Sequence, residues 1–271
     1  MTRNQSHGTL EAAIQRLPTA LADGTPLGVW ADLIPDCLAV AVPSGSRTFS
    51  ELDARCNQLA RALRRHGLAV GDSVALLCGN RAEFAEAMWA TRRTGLRVTT
   101  LNWHLTAVEA SYIADDCDAK VLFVDAQFAE LGRELAARAG KVQQRIAIGG
   151  AIDGYEDYER WIEPESSAAI ESPTLGSQML YTSGTTGRPK GVYKPPLAAQ
   201  PNATALAANY LPGHSVHLLT GPLYHAAPLA FSLLLPHAFG SAVVMMEQWD
   251  AELALQLIER HRVTHTHMVP T

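Results

Sequence analysis

Apolar and polar positions along the chain alternate between two spacings. Short runs of strand length and character occur at Ser73–Cys78, Arg97–Thr100, Lys120–Asp125, Ile146–Ile148, Gln178–Tyr181, Val216–Leu219 and Ala242–Met246. Between several of them, apolar residues recur three and four apart, which is the spacing of one helix face. Leu52, Cys56, Leu59, Ala60 and Leu63 form such a stripe. Ser50 with Asp53 is read as its capping-box-like start, and Gly67 after His66 as its C-terminal stop. A second helix is predicted from Ala82 to about Arg93, capped by Asn80 and stopped at Gly95. Thr106 with Glu109 is a capping box that opens a helix to Asp116. Further helices are predicted around Phe128–Ala139, Ala203–Tyr210 and Leu229–Leu235, and over Ala251–Arg262 with Asp250 as cap. A turn is placed at Gly240, and Thr264–Val269 reads as a last strand.

Other stretches are plainer. Residues 1–28, with Gly24, Pro26 and Gly28, read as irregular, and Arg47–Phe49 as a short extended piece. The acidic stretch 153–165 reads as a solvated helix with Tyr155, Tyr158, Trp161 and Ile162 turned inward. Glu163–Pro173 reads as an exposed linker. Strands alternating with helices at this spacing predict βαβ units and a mostly parallel sheet, so the fold class is α/β.

Composition narrows the function. Hydrophobic residues make up 47% of the 271 and charged residues 18%, an ordinary globular balance that allows one or two domains. A net charge of −5 gives no basic patch for nucleic acid. Cys37, Cys56, Cys78 and Cys117 are widely spaced, which fits a reducing, cytoplasmic setting. Met1–His7 has no apolar core of a signal peptide. Pro195–Met246 holds no Asp, Glu, Lys or Arg. Pro228, Pro236, His237 and Gly240 interrupt it, so it reads as buried strands with covering helices and no transmembrane segment. Peripheral membrane contact stays open. His265 and His267, His214 and His217, and the carboxylates of 153–165 are the candidate metal ligands. Neither histidine pair offers a third ligand, so no metal site is predicted.

The chemistry concentrates in Tyr181–Val192, reading Tyr-Thr-Ser-Gly-Thr-Thr-Gly-Arg-Pro-Lys-Gly-Val. Gly184 and Gly187 let backbone approach a ligand closely. Thr182, Ser183, Thr185 and Thr186 add hydroxyls, and Lys190 adds a compact charge. Most such loops are merely solvated, but this order of residues suits a polyphosphate. It is not a Walker A loop, since Pro189 and Gly191 break that pattern. His225, in Pro222-Leu-Tyr-His225, follows a strand, where active-site residues of open α/β sheets lie.

Tyr181–Val192 resembles the phosphate-binding signature of the adenylate-forming superfamily, which includes acyl-CoA synthetases, luciferases and peptide-synthetase adenylation domains. Pro222–His225 is similar to its Pro-Leu-aromatic-His element. Thr48–Leu52, Asn102–Thr106, Ala119–Phe123 and Val269–Thr271 extend the likeness over most of the chain. Tyr193–Pro196 departs from the more polar segment often seen there.

The resemblance implies the layered β/α subdomains of the large N-terminal domain of these enzymes. One subdomain would span roughly 73–205, and a second would combine 28–68 with 210–271 and be unfinished. It implies activation of a hydrophobic carboxylic acid with ATP, Mg2+ and coenzyme A, through acyl-AMP to acyl-CoA. Thr182, Ser183, Gly184, Thr185, Thr186 and Gly187 would wrap the β- and γ-phosphates, with Lys190 supporting them. Tyr224 and His225 would border the carboxylate. The superfamily's later adenine, magnesium, ribose and lysine elements have no counterpart here. The chain is therefore expected to lack the C-terminal domain and to be inactive alone. A separate C-terminal chain and self-association stay open, as do a non-catalytic nucleotide- or acyl-binding remnant and an adenylation domain or aryl-acid ligase.

Overall fold

The structure is a computed structural model that describes residues 9–43, 45–182, 188–194 and 209–268. Two sheets carry the chain. The larger has the strand order β7-β6-β5-β3-β4-β8-β9. Its strands are β3 (Ser73–Leu77), β4 (Arg97–Thr100), β5 (Ala119–Asp125), β6 (Gln144–Ile148), β7 (Glu156–Asp157), β8 (Ser177–Thr182) and β9 (Lys190–Lys194). All its pairings are parallel except β8 with β9. The smaller sheet runs β12-β10-β11-β1-β2. It comprises β1 (Leu38–Val42), β2 (Gly45–Thr48), β10 (Val216–Leu219), β11 (Ala242–Met245) and β12 (His265–Thr266). Here only β1 with β2 is antiparallel.

Strand residues alternate between faces, and the cores follow that alternation. Val74 and Leu76 of β3 share one core with Val121 and Phe123 of β5, and with Val243 and Met245 of β11. That core lies between the two sheets and includes residues of α3 (Phe49–Arg65) and α4 (Ala82–Arg93). Ala75, Leu77, Leu122 and Val124 face the opposite way, onto α5 (Ala107–Asp116) and α6 (Ala129–Arg138). Leu218, Val244 and Met246 pack outward with Ala254 of the helix Ala251–His261. The result is five layers, helix-sheet-helix-sheet-helix. In α4 every residue except Arg92 is buried, because it sits between two sheets.

Several expectations change. Residues 10–23 form a helix, α1 (Leu10–Asp23), with Thr9 accepting from the amide of Ala12. A second, α2 (Pro26–Leu33), starts with proline in its first turn. The irregular reading of 1–28 gave too much weight to Gly24, Pro26 and Gly28. Gly24 is a left-handed C-cap at φ 83°, and a Cβ there would lie 2.4 Å from the carbonyl oxygen of Arg92. Helix α3 is opened by Thr48 and Glu51, which form a full capping box, and not by Ser50 and Asp53. Asn80 does not cap α4: that helix has no side-chain cap, and Asn80 bonds elsewhere. Strands β1 and β9 were not foreseen.

The 153–165 stretch folds as the short strand β7 and a single turn of helix, α7 (Tyr158–Ile162). Tyr158, Trp161 and Ile162 are buried as expected. Segment 163–173 is no free linker. Arg61 donates to the carbonyls of Ser166, Ala168 and Ala169, and Arg64 to those of Glu171 and Ser172. The segment is strapped along α3. Leu229–Leu235 is a π-helical segment, Pro228–Leu234, running into a short α-helix, Leu235–Ala238. The last strand covers His265–Thr266. The helix expected at 203–210 falls largely outside the described residues.

Candidate functional site at the junction of the two sheets

The site starts from the β8–β9 hairpin. Thr182 ends β8 and pairs directly with Lys190, which opens β9. Of the anticipated phosphate loop, Ser183, Gly184, Thr185, Thr186 and Gly187 lie outside the described residues. The two flanks therefore stand side by side.

A cavity of about 480 Å³ opens beside this hairpin. Its walls are Thr100, Asn102 and Leu105 at the end of β4, Glu109 and Ile113 of α5, Tyr181, Thr182, Arg188 and Pro189 of the hairpin, and Tyr224 with His225. Three sequence-predicted residues, Thr182, Tyr224 and His225, thus meet in one space. Lys190 is exposed and paired in the hairpin ladder, and it is not among the walls. Of the described part of the uncharged run, only Tyr224 and His225 line the cavity. Leu219, Leu223, Leu229 and Leu233 are core residues between the sheets. The run is apolar mainly because it builds that core.

Aromatic rings pack around Tyr224, one of the cavity's lining residues. Trp103 meets Tyr224 edge-on with ring centroids 4.5 Å apart, and stacks on Phe128 at 5.3 Å. His225 lies against Tyr224, with centroids 4.4 Å apart. Partial burial holds the His225 imidazole below the usual histidine range and pushes the Tyr224 phenol above its own. At neutral pH both side chains are therefore uncharged beside the cavity. His225 can give or accept a hydrogen bond there without the cost of a buried cation.

On the hairpin side, the hydroxyl of Tyr181 donates to Asp116, which also accepts from Tyr112. Burial and then the bond to Asp116 raise the Tyr181 phenol far above its usual range. Arg188 lies over the Tyr112 ring, 5.9 Å from its centroid. Glu109 is tied to the backbone and hydroxyl of Thr106 by the capping box. The carboxylates nearest the mouth are thus engaged, while the Arg188 guanidinium has no carboxylate partner among the described residues. Sequence reasoning passed over Thr100 and Arg188. Arg188 was within the quoted motif, and its charge was the available signal.

The weighed histidines resolve differently. His217 is paired in register with His265 and is bonded to the Tyr210 hydroxyl at 2.9 Å, and Tyr210 stacks on His265. Among the described residues no group of three or more metal-ligating side chains could hold an ion. No helix among them is long and apolar enough to cross a membrane.

The indoleacetate–CoA ligase of Aromatoleum aromaticum is 31% identical over 258 residues, 90% of this chain and 49% of that protein. The 2-succinylbenzoate–CoA ligase of Bacillus licheniformis is 33% identical over 244 residues, 89% of this chain and 48% of its own length. The chain thus spans about half the length of these relatives. A fatty acyl CoA synthetase of Mycobacterium tuberculosis superposes with a TM-score of 0.78 at 25% identity, covering 92% of this chain and 49% of its own. The anthranilate CoA ligase AuaEII with anthranoyl-AMP gives 0.77 at 24% identity, over 89% of this chain and 49% of its own, and shows the shared fold alone. The layered architecture is that of the N-terminal domain of adenylate-forming enzymes. A family model described as AMP-binding enzyme matches residues 29–271, so the chain belongs to the AMP-binding enzyme family.

Proposed function

We propose that the chain supplies the acid and phosphate side of a carboxylic acid–CoA ligase, with a hydrophobic acid as substrate. The observation that carries the reading is the cavity at the sheet junction, where the flank of the phosphate-loop motif faces Tyr224 and His225. In the first step a carboxylate oxygen attacks the α-phosphorus of ATP, acyl-AMP forms and pyrophosphate leaves. In the second the thiolate of coenzyme A attacks the acyl carbon and AMP leaves. The chain's part in both is orientation and charge stabilisation. Thr182–Gly187 would hold the β- and γ-phosphates, and Lys190, at the base of the hairpin, would brace that loop. Mg2+ would arrive on the nucleotide, since no side-chain cluster among the described residues would hold it.

Tyr224 in the cavity wall, with Trp103 packed edge-on against it, supports an acid with an aromatic ring. Relatives named as indoleacetate, 2-succinylbenzoate and feruloyl ligases point the same way. The two sheets are taken as cores of two subdomains, roughly 73–205 and 28–68 with 210–271. The four cysteines are free thiols, in keeping with a cytoplasmic setting.

The test is calorimetric titration with a non-hydrolysable acyl-adenylate bearing an aryl group. Binding that is lost in Tyr224→Ala and in His225→Ala supports the reading. Binding unchanged in both variants, or no binding at all, removes the cavity from the acid site.

A further inference from the structure

Asn80 lies just past the carboxyl end of β3 and is 3% exposed. Its side chain makes three hydrogen bonds, all to backbone of the other sheet's connections. The amide nitrogen donates to the carbonyls of Gly221, at 3.1 Å, and Met246, at 2.8 Å. The amide oxygen accepts from the N–H of Leu223 at 3.0 Å. Next to it, Thr100 at the end of β4 donates its hydroxyl to the carbonyl of Tyr224 at 3.1 Å. These two side chains leave the larger sheet and grip the segment that follows β10. An Asn presents donors and an acceptor on one planar head, so it can read a C=O and an N–H of one segment together.

The segment gripped carries Tyr224 and His225. It has little secondary structure of its own: His225 N–H donates to Pro222 O at 3.2 Å in a single turn. Its place is therefore set by what holds it. A buried amide head whose partners move away would be left unsatisfied, which makes the grip all-or-none.

We propose that Asn80, assisted by Thr100, is a positioning residue that locks the Gly221–His225 segment onto the larger sheet and so sets the wall of the acid cavity. Its meaning for catalysis rests on the cavity reading above; its geometry does not. Asn80 touches neither reacting group and acts through Tyr224 and His225.

The test is amide hydrogen exchange by NMR on the 271-residue chain without ligand, in wild type, Asn80→Ala, Thr100→Val and Thr100→Ser. In Asn80→Ala the Leu223 amide should exchange about 30-fold faster or more, while β5 amides stay within a few-fold of wild type. The ring–ring NOE between Trp103 and Tyr224 should weaken in Asn80→Ala and Thr100→Val and return in Thr100→Ser, which keeps the hydroxyl. If Asn80→Ala does not fold, the two Thr100 variants decide through that NOE. A Leu223 amide as protected as in wild type, an equal loss of protection throughout the core, or an NOE unchanged in Thr100→Val would overturn the proposal. No ligand enters this experiment, so its failure leaves the calorimetric test of the cavity standing, and the converse also holds.

Discussion

The indole N–H of Trp89 donates to Nδ1 of His237 at 3.1 Å, between residues 148 apart in sequence. The other ring nitrogen, Nε2, donates to the carbonyl of Ala39 at 3.0 Å. His237 thereby links α4, between the sheets, to β1 of the smaller sheet. With Nδ1 accepting, the ring is neutral, and a second proton would point at the indole N–H. Burial lowers its pKa to about 4, against a smaller raising effect of Ala39.

Acid should loosen this link. The folded pKa of His237 lies below the ordinary 6.5, so its contribution is complete above pH 6.5. It is lost progressively as pH falls toward 4, by about 3 kcal/mol across the window. Urea melts at pH 7 and pH 4.5 for wild type and His237→Gln should show a steeper loss in wild type. Equal losses in the two proteins would rule out His237 as the cause.

Glu86 is buried at the centre of a charged cluster. It accepts from Arg55 at 2.6 Å, from Arg47 at 3.3 Å and from the Tyr158 hydroxyl at 2.7 Å. Glu86→Ala should cost about 3 kcal/mol, the low end for breaking a buried pair, since both arginines keep some solvent. Glu86→Gln, which retains an acceptor for Tyr158, should cost less. A denaturation midpoint of Glu86→Ala within error of wild type would show that the cluster is neutral to folding.

Lys190 stands outside the cavity wall, so its effect should come through the loop it anchors. In protein that carries pyrophosphate exchange, Lys190→Ala should slow ATP–pyrophosphate exchange 10- to 100-fold, about 1.4 kcal/mol per tenfold. An unchanged exchange rate would refute this expectation.

Among the described residues β12 is the outer strand of the smaller sheet, next to β10. Phe231, Trp249, Leu255 and Met268 are exposed large apolar side chains, Leu255 at 68%. An open edge and uncovered apolar groups promote association. The chain should self-associate and bind a hydrophobic dye. A monomeric peak by light scattering with no dye binding would contradict this.

What was legible in the sequence was local. Thr106 and Glu109 form the capping box read from their spacing, and Asp250 caps its helix through the amide of Leu253. Thr48 and Glu51 carry the same Thr-x-x-Glu signal, and the neighbouring Ser50–Asp53 pair obscured it. Helix α1 was hidden by Pro18 within it and by the breakers that follow. Tyr224 and His225 were found through a motif, and the cavity does bring them to Thr182. Asn80 could not be read correctly, because its partners lie 141 to 166 residues away and a local capping role was equally consistent with its type. The two roles differ only in three dimensions.

The strap along α3 divides tolerance to mutation unequally between its two halves. Arg61 and Arg64 bind only carbonyl oxygens of residues 166–172, joined by Gln58 on Glu165 and Asn57 on Ser167. A carbonyl is the same on every residue, so this half of the contact is blind to side-chain identity. Ala168, Ala169 and Glu171 are free to drift, whereas each arginine serves two or three carbonyls with a planar fork that lysine cannot reproduce. On the strap itself, Ile170 in the core and Glu165 on Arg65 add a side-chain hold to that of the main chain.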